Sequence, residues 1–129
     1  MNMNYVLLAG RILFGFIFVC SGFCHFLPTT IHYAISKGVI IPMFLVPFSG
    51  IIAILGGLSI ILGYRARWGA WLIVLFLVPV TFTMHRFWDA VDPMAVMLQR
   101  IMFMKNLSML GGALIIAYFG SGPMSLSKK

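Results

Sequence analysis

The sequence predicts an all-α membrane protein, a bundle of four transmembrane helices in a single domain of 129 residues. The first observation is composition: 62% of the residues are hydrophobic and 9% are charged, whereas charged residues make up about 25% of soluble globular domains. The second is that the apolar residues form four long runs without alternating polarity. In lipid only helices and closed barrels satisfy the backbone, so such runs indicate helices.

The composition also excludes several classes of protein. A soluble chain of this length buries only about two-thirds of the surface that its unfolded form exposes, too little to hide so many apolar side chains. A disordered chain would be much more polar. The net charge of +7 comes from nine lysines and arginines against two acids. These cations are scattered and form no basic face, so a nucleic-acid binder is excluded as well.

The first predicted span covers about residues 5–24 and is interrupted only by Arg11. A secretory signal peptide would have a basic start, an apolar stretch of about 7–15 residues and a small-residue cleavage site. This run is longer and carries its charge inside. We therefore interpret it as a retained transmembrane helix.

The second and third spans are predicted at about residues 43–64 and 68–84, and the fourth at about 101–119. Only Arg65-Ala66-Arg67 separates the second span from the third. The connection is therefore a tight turn, and these two helices must be antiparallel neighbours.

The two longer connections each contain a stretch that is predicted to lie on the membrane surface as a short helix. These stretches cover residues 29–37 and 93–104. Pro28 and Pro93 stand where the two helices would begin, which is a favoured position for proline.

An even number of spans places both termini on the same side of the membrane. The tally of basic residues on the two sides is nearly balanced, so the positive-inside rule orients the protein only weakly. We expect both termini in the cytoplasm, because their side carries the most compact basic clusters and the two acids dilute the charge opposite. The clusters are Arg65 with Arg67 and Lys128 with Lys129; the acids are Asp89 and Asp92.

Small residues predict where the helices approach closely. Ser49, Ala53 and Gly57 are spaced by four along the second span, beside Gly56, and Gly111-Gly112 lies in the fourth. Such spacing lets membrane helices come into close contact. Packing within the bundle is the main interpretation, and a homodimer face is the alternative.

Arg11 is an ionisable residue within a span, which is costly and by default suggests a function. It lies about two turns from the start of the first helix, so its side chain could reach the interface. The alternative is that Arg11 faces the bundle interior and holds an anion or a carbonyl.

All three histidines and both acids fall on the side opposite the termini. Cys20 and Cys24 are one helical turn apart there, followed by His25. Thiols in such places are most often small apolar fillers. A redox or metal role would need a converging histidine, and the ten methionines would suit a soft metal such as Cu(I). Copper handling is therefore kept as a lesser alternative.

Several short motifs, in order along nearly the whole chain, resemble the DoxX family of small membrane proteins. None of the motifs is specific alone, but the series is. They are Gly10-Arg11-Ile12-Leu13, Ser21-Gly22, Leu55-Gly56-Gly57, Leu62-Gly63, His85-Arg86-Phe87-Trp88, Phe103-Met104-Lys105-Asn106-Leu107, Gly111-Gly112 and the segment from Gly120 to Leu126.

The resemblance implies a four-helix bundle in the bacterial inner membrane and a loose association with oxidoreductase chemistry. The family is named after a subunit of a thiosulfate:quinone oxidoreductase, and most members have no established activity. Its recurrent polar positions are matched here by Arg11, His85, Trp88, Lys105 and Asn106.

The chain departs from the family pattern at two positions. Many members have a glutamate where this chain has Ala53, and many have a lysine where it has His25. The missing carboxylate removes an expected counter-ion for Arg11 and an expected proton carrier, which weakens a proton-coupled mechanism.

Two main functions remain. The first is an oxidoreductase-associated subunit that binds a quinone or a small anion in a polar pocket on the outer face. No nucleotide, haem or cluster motif is present, so catalysis by this chain alone is not expected, and a partner subunit is implied. The second is a non-enzymatic assembly, scaffold or lipid-binding protein. The candidate ligand-binding residues are Arg11, His85, Arg86, Trp88, Asp89, Lys105 and Asn106.

Overall fold

The computed structural model describes residues 3–126, and these residues are all helical or irregular, with no strand. Lys128 and Lys129, which entered the orientation prediction, lie outside them. The elements are α1 (Met3–Cys24), α2 (Pro28–Ser36), α3 (Pro42–Leu62), α4 (Ala66–Met84), a 3₁₀ helix (Phe87–Asp89) and α5 (Pro93–Phe119).

Four helical segments within residues 3–126 are long and apolar enough to cross a membrane, so the predicted four-span architecture is confirmed. They comprise α1, α3, α4 with the 3₁₀ helix that follows it, and α5. The short helix predicted in the first long connection is also present, as α2.

The second predicted surface helix does not form as a separate element. Residues 93–104 are continuous with the fourth span, giving one helix of 27 residues. Its start is well defined, because Pro93 occupies the first turn and Asp92 Oδ2 accepts a hydrogen bond of 3.1 Å from the Ala95 N–H. No proline or glycine follows until Gly111, so nothing in the sequence ends the helix at the predicted boundary.

The long helices alternate in direction, and the closest backbone approaches are α1 with α3, α3 with α4, and α4 with α5. Residue 3, the α3–α4 turn and residue 126 lie at one end of the bundle, here called the terminal end. The loop end holds α2 and the 3₁₀ helix. The bundle therefore has two chemically different ends.

Glycines bring α1 against α3. A Cβ atom on Gly15 would lie 2.7 Å from the Gly57 carbonyl oxygen, and one on Gly22 would lie 2.5 Å from that of Gly50. Ala53, fully buried, lies on α3 between these two contacts. Of the predicted packing residues, Ala53 and Gly57 thus lie inside the bundle, whereas Gly15, Gly22 and Gly50 were not predicted.

The other predicted small residues have different surroundings. A Cβ on Gly56 would lie 2.9 Å from the Gly69 carbonyl oxygen, so Gly56 brings α3 against α4. Gly112 lies under the ring of Phe14, whereas a Cβ on Gly111 would meet nothing within 4 Å. The exposed position of Gly111 gives it no packing role within the bundle.

The core lies between the four long helices, where Phe18 of α1 meets Phe76 of α4 edge to face with ring centroids 6.3 Å apart. Several core positions hold alanine, and such small residues let membrane helices approach closely. The buried core residues are Phe18, Ala53, Ile60, Ala66, Ala70, Ile73, Phe76, Leu77 and Ala113.

Candidate functional site

A cavity of about 240 Å³ lies at the loop end, between α1, α2, α4 and α5. We call it the polar cavity, because nearly half of the residues that line it are polar. Met102, Met109 and several core side chains complete its wall. Its polar lining residues are Ser21, His25, Thr30, Tyr33, His85, Lys105 and Asn106.

Asn106 is the most deeply buried of these polar residues, with 6% of its surface exposed. Its amide makes no hydrogen bond to any residue between 3 and 126, although the side chain lines the polar cavity. The amide nitrogen and oxygen are not fully enclosed by protein, so they face the cavity with hydrogen-bonding capacity to spare. This position is therefore suited to a ligand that supplies the missing partners.

His25 lies directly after α1, and its ring turns back onto the last turn of that helix. Its Nδ1 is 2.6 Å from the Ser21 carbonyl oxygen, and its edge packs on Phe76 with centroids 5.4 Å apart. His25 lines both the polar cavity and the larger cavity beside it. It thus stands where the two cavities meet.

His85 is held by a chain of hydrogen bonds that joins three segments. Its Nδ1 is 2.9 Å from Gln99 Oε1 on α5, and Gln99 Nε2 donates to the Tyr33 hydroxyl of α2 over 2.8 Å. That hydroxyl donates in turn to the Met84 carbonyl oxygen over 3.4 Å. The chain ties α2 and the start of α5 across the mouth of the polar cavity.

The larger cavity, about 480 Å³, lies between α2, α3 and α4 and is called the apolar cavity. It shares His25, Thr30, Phe76, Val80 and Met84 with the polar cavity, so the two adjoin. Some of its lining residues also face outward: Phe48 is 49% exposed and Leu75 is 57% exposed. Because these positions lie on membrane-spanning helices, the apolar cavity opens towards lipid between α3 and α4.

The remaining loop-end candidates lie outside both cavities. Arg86 forms an ion pair of 3.3 Å with Asp89 and donates over 3.1 Å to the Lys37 carbonyl oxygen. Trp88 is half exposed and packs edge to face on Phe103, with centroids 5.7 Å apart. These contacts fasten the 3₁₀ helix to α2 and α5, so the three predicted ligand residues Arg86, Trp88 and Asp89 have structural contacts here.

Arg11 lies at the terminal end, away from both cavities. It faces the interior with 3% of its surface exposed. Its guanidinium donates to the carbonyl oxygens of Ser121, over 3.1 Å, and Met124. Arg11 therefore holds the backbone of the segment 120–126, and its position matches the carbonyl-binding interpretation and not the interfacial one.

The cysteines do not converge with a histidine. Cys20 and Cys24 are free and exposed on the outer surface of α1, whereas His25 is turned towards the cavities. Among residues 3–126 no group of three or more histidine, cysteine, aspartate or glutamate side chains could hold a metal ion. The structure therefore gives no geometric basis for a redox or metal site at these three residues.

Sequence reasoning placed His85, Lys105 and Asn106 together, and the structure brings all three to the polar cavity. It missed Tyr33 and Gln99, which are polar residues in segments expected to lie on the membrane surface. A signal was present for Gln99, which is the one uncharged polar side chain in the apolar segment 93–104, but not for Tyr33, which has several polar neighbours. Their pairing requires the tertiary fold.

Comparison with known proteins decides the family. The sequence profile described as DoxX matches residues 6–86, more than half of the chain. The chain belongs to the DoxX family. The predicted resemblance is therefore confirmed, and the protein is a multi-pass membrane protein of this family.

Two relatives from Escherichia coli (strain K12) match along nearly the whole length. The inner membrane protein YphA is 29% identical over 126 residues, which cover 96% of this chain and 89% of the relative. The inner membrane protein YqjF is 31% identical over 124 residues, covering 94% and 88%. No solved structure matches the chain.

Proposed function

We propose that this DoxX-family inner-membrane protein is an oxidoreductase-associated subunit that binds a quinone at the loop end. The head group would occupy the polar cavity, and the isoprenoid tail would lie in the apolar cavity and leave between α3 and α4. The observation that carries the proposal is the amide of Asn106, which has no hydrogen-bond partner among residues 3–126 and lines a polar cavity that adjoins an apolar cavity open to lipid.

The dimensions and chemistry of the two cavities support a ligand of this kind. Ligand sites in proteins measure about 300–1,000 Å³ and combine an apolar lining with a few convergent polar groups. Here the apolar cavity measures about 480 Å³, and the polar cavity offers the Asn106 amide and the Lys105 ammonium as donors. A quinone has carbonyl oxygens that accept such bonds and a tail that requires an apolar channel.

A small anion, the other ligand that the sequence suggested, fits less well. Lys105 is the one lysine or arginine among the residues that line the two cavities, and most of the remaining lining is apolar. Transferring an anion into such surroundings is strongly unfavourable unless several charged or donor groups compensate for its lost hydration. The lining therefore favours an uncharged, lipid-soluble ligand.

A partner subunit belongs to the proposal. The 129 residues contain no glycine-rich nucleotide loop, haem-attachment motif or four-cysteine set, so the chain has no visible electron carrier. Electrons would reach or leave the quinone through another protein, and this subunit would bind and orient it.

The proposal is tested by native mass spectrometry of the detergent-purified protein and by titration with decylubiquinone. We expect a retained quinone and saturable binding. Asn106→Leu, which removes the amide at similar volume, should weaken binding about tenfold, as loss of a buried hydrogen bond predicts. Ser108→Leu is the matched control, because Ser108 lies on the same helix, is exposed and lines neither cavity.

The scaffold alternative makes the opposite prediction. If the purified protein neither retains nor binds a quinone, while Asn106→Leu raises its thermal stability, then the amide is an unfavourable structural feature and quinone binding is wrong. Retention of a phospholipid in both cavities would instead favour a lipid-binding protein.

A further inference from the structure

The two histidines of the polar cavity are each fixed in one tautomer. The partner of His25 Nδ1 is the Ser21 carbonyl oxygen, 2.6 Å away, which can only accept. The Nδ1 of a neutral His25 must therefore carry the proton, and its Nε2 is left with a lone pair. This Nε2 has no hydrogen-bond partner among residues 3–126 and is not enclosed by protein.

The same conclusion holds for His85, through its chain of hydrogen bonds. The Met84 carbonyl can only accept, so the Tyr33 hydroxyl donates its proton there and accepts from Gln99. Gln99 must then present its amide nitrogen to Tyr33 and its oxygen to His85. The Nδ1 of neutral His85 carries the proton, and its Nε2 also keeps a lone pair.

From these two tautomers we infer that the polar cavity selects a ligand whose head group donates hydrogen bonds, which for a quinone-type ligand is the hydroxylated quinol form. The inference rests on the proposed function and narrows it. His25 and His85 line the same cavity of about 240 Å³, and each offers an accepting Nε2. A quinone, whose carbonyl oxygens can only accept, leaves both nitrogens without partners.

Asn106 and Lys105 complete the arrangement. A quinol hydroxyl donates one hydrogen bond and accepts others, so its oxygen can accept a hydrogen bond from the Asn106 amide or the Lys105 ammonium while it donates one to a histidine. Sites built to bond a hydroxyl reject analogues that lack it, because their own buried polar groups are left unpaired. The cavity therefore distinguishes the two redox forms by hydrogen-bond direction.

The test compares three ligands that share the same ring substituents and decyl tail, on the purified, full-length protein in lipid nanodiscs: decylubiquinol, decylubiquinone and the dimethyl ether of decylubiquinol. The buffer is held anaerobic at pH 8, above the range where imidazole normally titrates. We expect the quinol to bind about tenfold more tightly than the quinone, since one buried hydrogen bond to an otherwise unpaired group has roughly this effect. The dimethyl ether, which has no hydroxyl, should bind as weakly as the quinone.

Histidine variants identify the source of the preference. His25→Phe and His85→Phe should each reduce the ratio of quinol to quinone affinity, whereas His32→Phe, at the histidine that lines neither cavity, should leave it unchanged. Tyr33→Phe keeps the fold and both imidazoles but frees Gln99 to rotate, and should also lower the ratio. If a histidine variant fails to fold, ¹⁵N NMR of the histidine rings in the wild type still reports the Nδ1–H tautomers directly.

The outcomes separate the inference from the function on which it rests. Equal affinity for all three ligands, still lost in Asn106→Leu, would keep the quinone site and overturn the selectivity. Tighter binding of the quinone than of the quinol, or ¹⁵N shifts showing Nε2–H tautomers, would overturn it too. Failure of all three ligands to bind would remove the proposed function itself.

Discussion

At the scale of single residues, Arg11 shows how a buried charge can be accommodated without an acid. Its guanidinium bonds two backbone carbonyls of the segment 120–126, and the Ser121 hydroxyl accepts from the Ala66 N–H over 3.3 Å. Leu126 N–H adds a bond of 3.1 Å to the Leu62 carbonyl oxygen. Together with these two bonds, Arg11 holds the segment 120–126 against the α3–α4 turn.

We predict that Arg11→Met leaves the bundle folded but releases the segment 120–126. Methionine retains the apolar stem and loses both charge-assisted hydrogen bonds, each worth about 1.5–3 kcal/mol, while removing the cost of a buried charge. Limited proteolysis followed by mass spectrometry should show cleavage after about residue 119. Arg65→Met, at an exposed arginine over the Tyr64 ring, is the control, and equal protease resistance of the two variants would contradict the prediction.

Position 53, where many family members have a glutamate and this chain has Ala53, is far from Arg11. The sequence had suggested that a glutamate there would be the counter-ion of Arg11. Ala53 is ten positions before Gly63, whose backbone lies against the Arg11 guanidinium, so the two sites are about 15 Å apart along α3. A carboxylate at position 53 would not contact Arg11 in this fold. The sequence could not show this, because it does not reveal which turn of α3 the arginine reaches.

The thiols give a second prediction at this scale. Because Cys20 and Cys24 face outward from α1 and line neither cavity, the double variant Cys20→Ala/Cys24→Ala should keep the thermal stability and the ligand affinity of the wild type. Exposed substitutions of this kind usually change stability by less than about 0.5 kcal/mol. Loss of ligand binding in the double variant would reinstate a thiol function.

At the scale of elements, the α1–α3 contact depends on glycine because backbone meets backbone. A Cβ on Gly22 would come 2.5 Å from the Gly50 carbonyl oxygen and close to the backbone of Ile54, and neither can move as a side chain would. The sequence indicated the α3 half of this contact through Ala53 and Gly57. It did not indicate the α1 half, since Gly15 and Gly22 are seven positions apart and fall outside a spacing of four.

We predict that Gly22→Ala destabilises the bundle by about 1–3 kcal/mol, the usual cost of overpacking a tight interface. Gly10→Ala and Gly111→Ala are matched controls, because a Cβ at either position meets nothing within 4 Å. Both controls should be neutral or stabilising by up to about 1 kcal/mol, since alanine is the better helix former. Unfolding in a series of SDS fractions measures all three, and a neutral Gly22→Ala would show that α1 and α3 are less closely packed.

The elements of the loop end show what sequence patterns cannot supply. The four spans follow from apolar runs whose length matches the bilayer; their predicted ends differ from the structure by one or two residues, except that the fourth helix begins eight residues earlier, at Pro93. The polar cavity, in contrast, draws on α1, α2, α4 and α5 at once. His85, Lys105 and Asn106 are near one another along the chain or on adjacent helices, so their convergence was predictable, but the Tyr33–Gln99 bridge joins segments 66 positions apart.

At the scale of the whole molecule, most of the small residues that are spaced by four along α3 pack within the bundle. Gly57 and Ala53 are buried between α1 and α3, so they are not available as a face for a second copy. The case for a homodimer that this spacing suggested therefore loses its main support. A partner subunit would have to contact other surfaces, such as the exposed positions beside the cavity mouth.

The orientation of the whole bundle decides which leaflet the proposed quinone site faces, and we predict that both termini are cytoplasmic. Arg65 and Arg67 flank the first residue of α4 at the terminal end, whereas at the loop end Asp89 neutralises Arg86 through their ion pair. The most compact basic pair without a neighbouring acid therefore lies at the terminal end, which the positive-inside rule favours for the cytoplasmic side. The cavities would then open towards the periplasmic leaflet.

Fusions to the C-terminus measure this orientation directly. Green fluorescent protein placed there should be fluorescent, and alkaline phosphatase placed there should be inactive, since the phosphatase folds only where disulfides form. The double variant Arg65→Glu/Arg67→Glu should lower the fluorescence or produce a mixed population, because it removes the compact basic pair while the spans stay intact. An active phosphatase fusion on the unaltered protein would reverse the assignment, and the loop-end site would then face the cytoplasmic leaflet and a cytoplasmic partner.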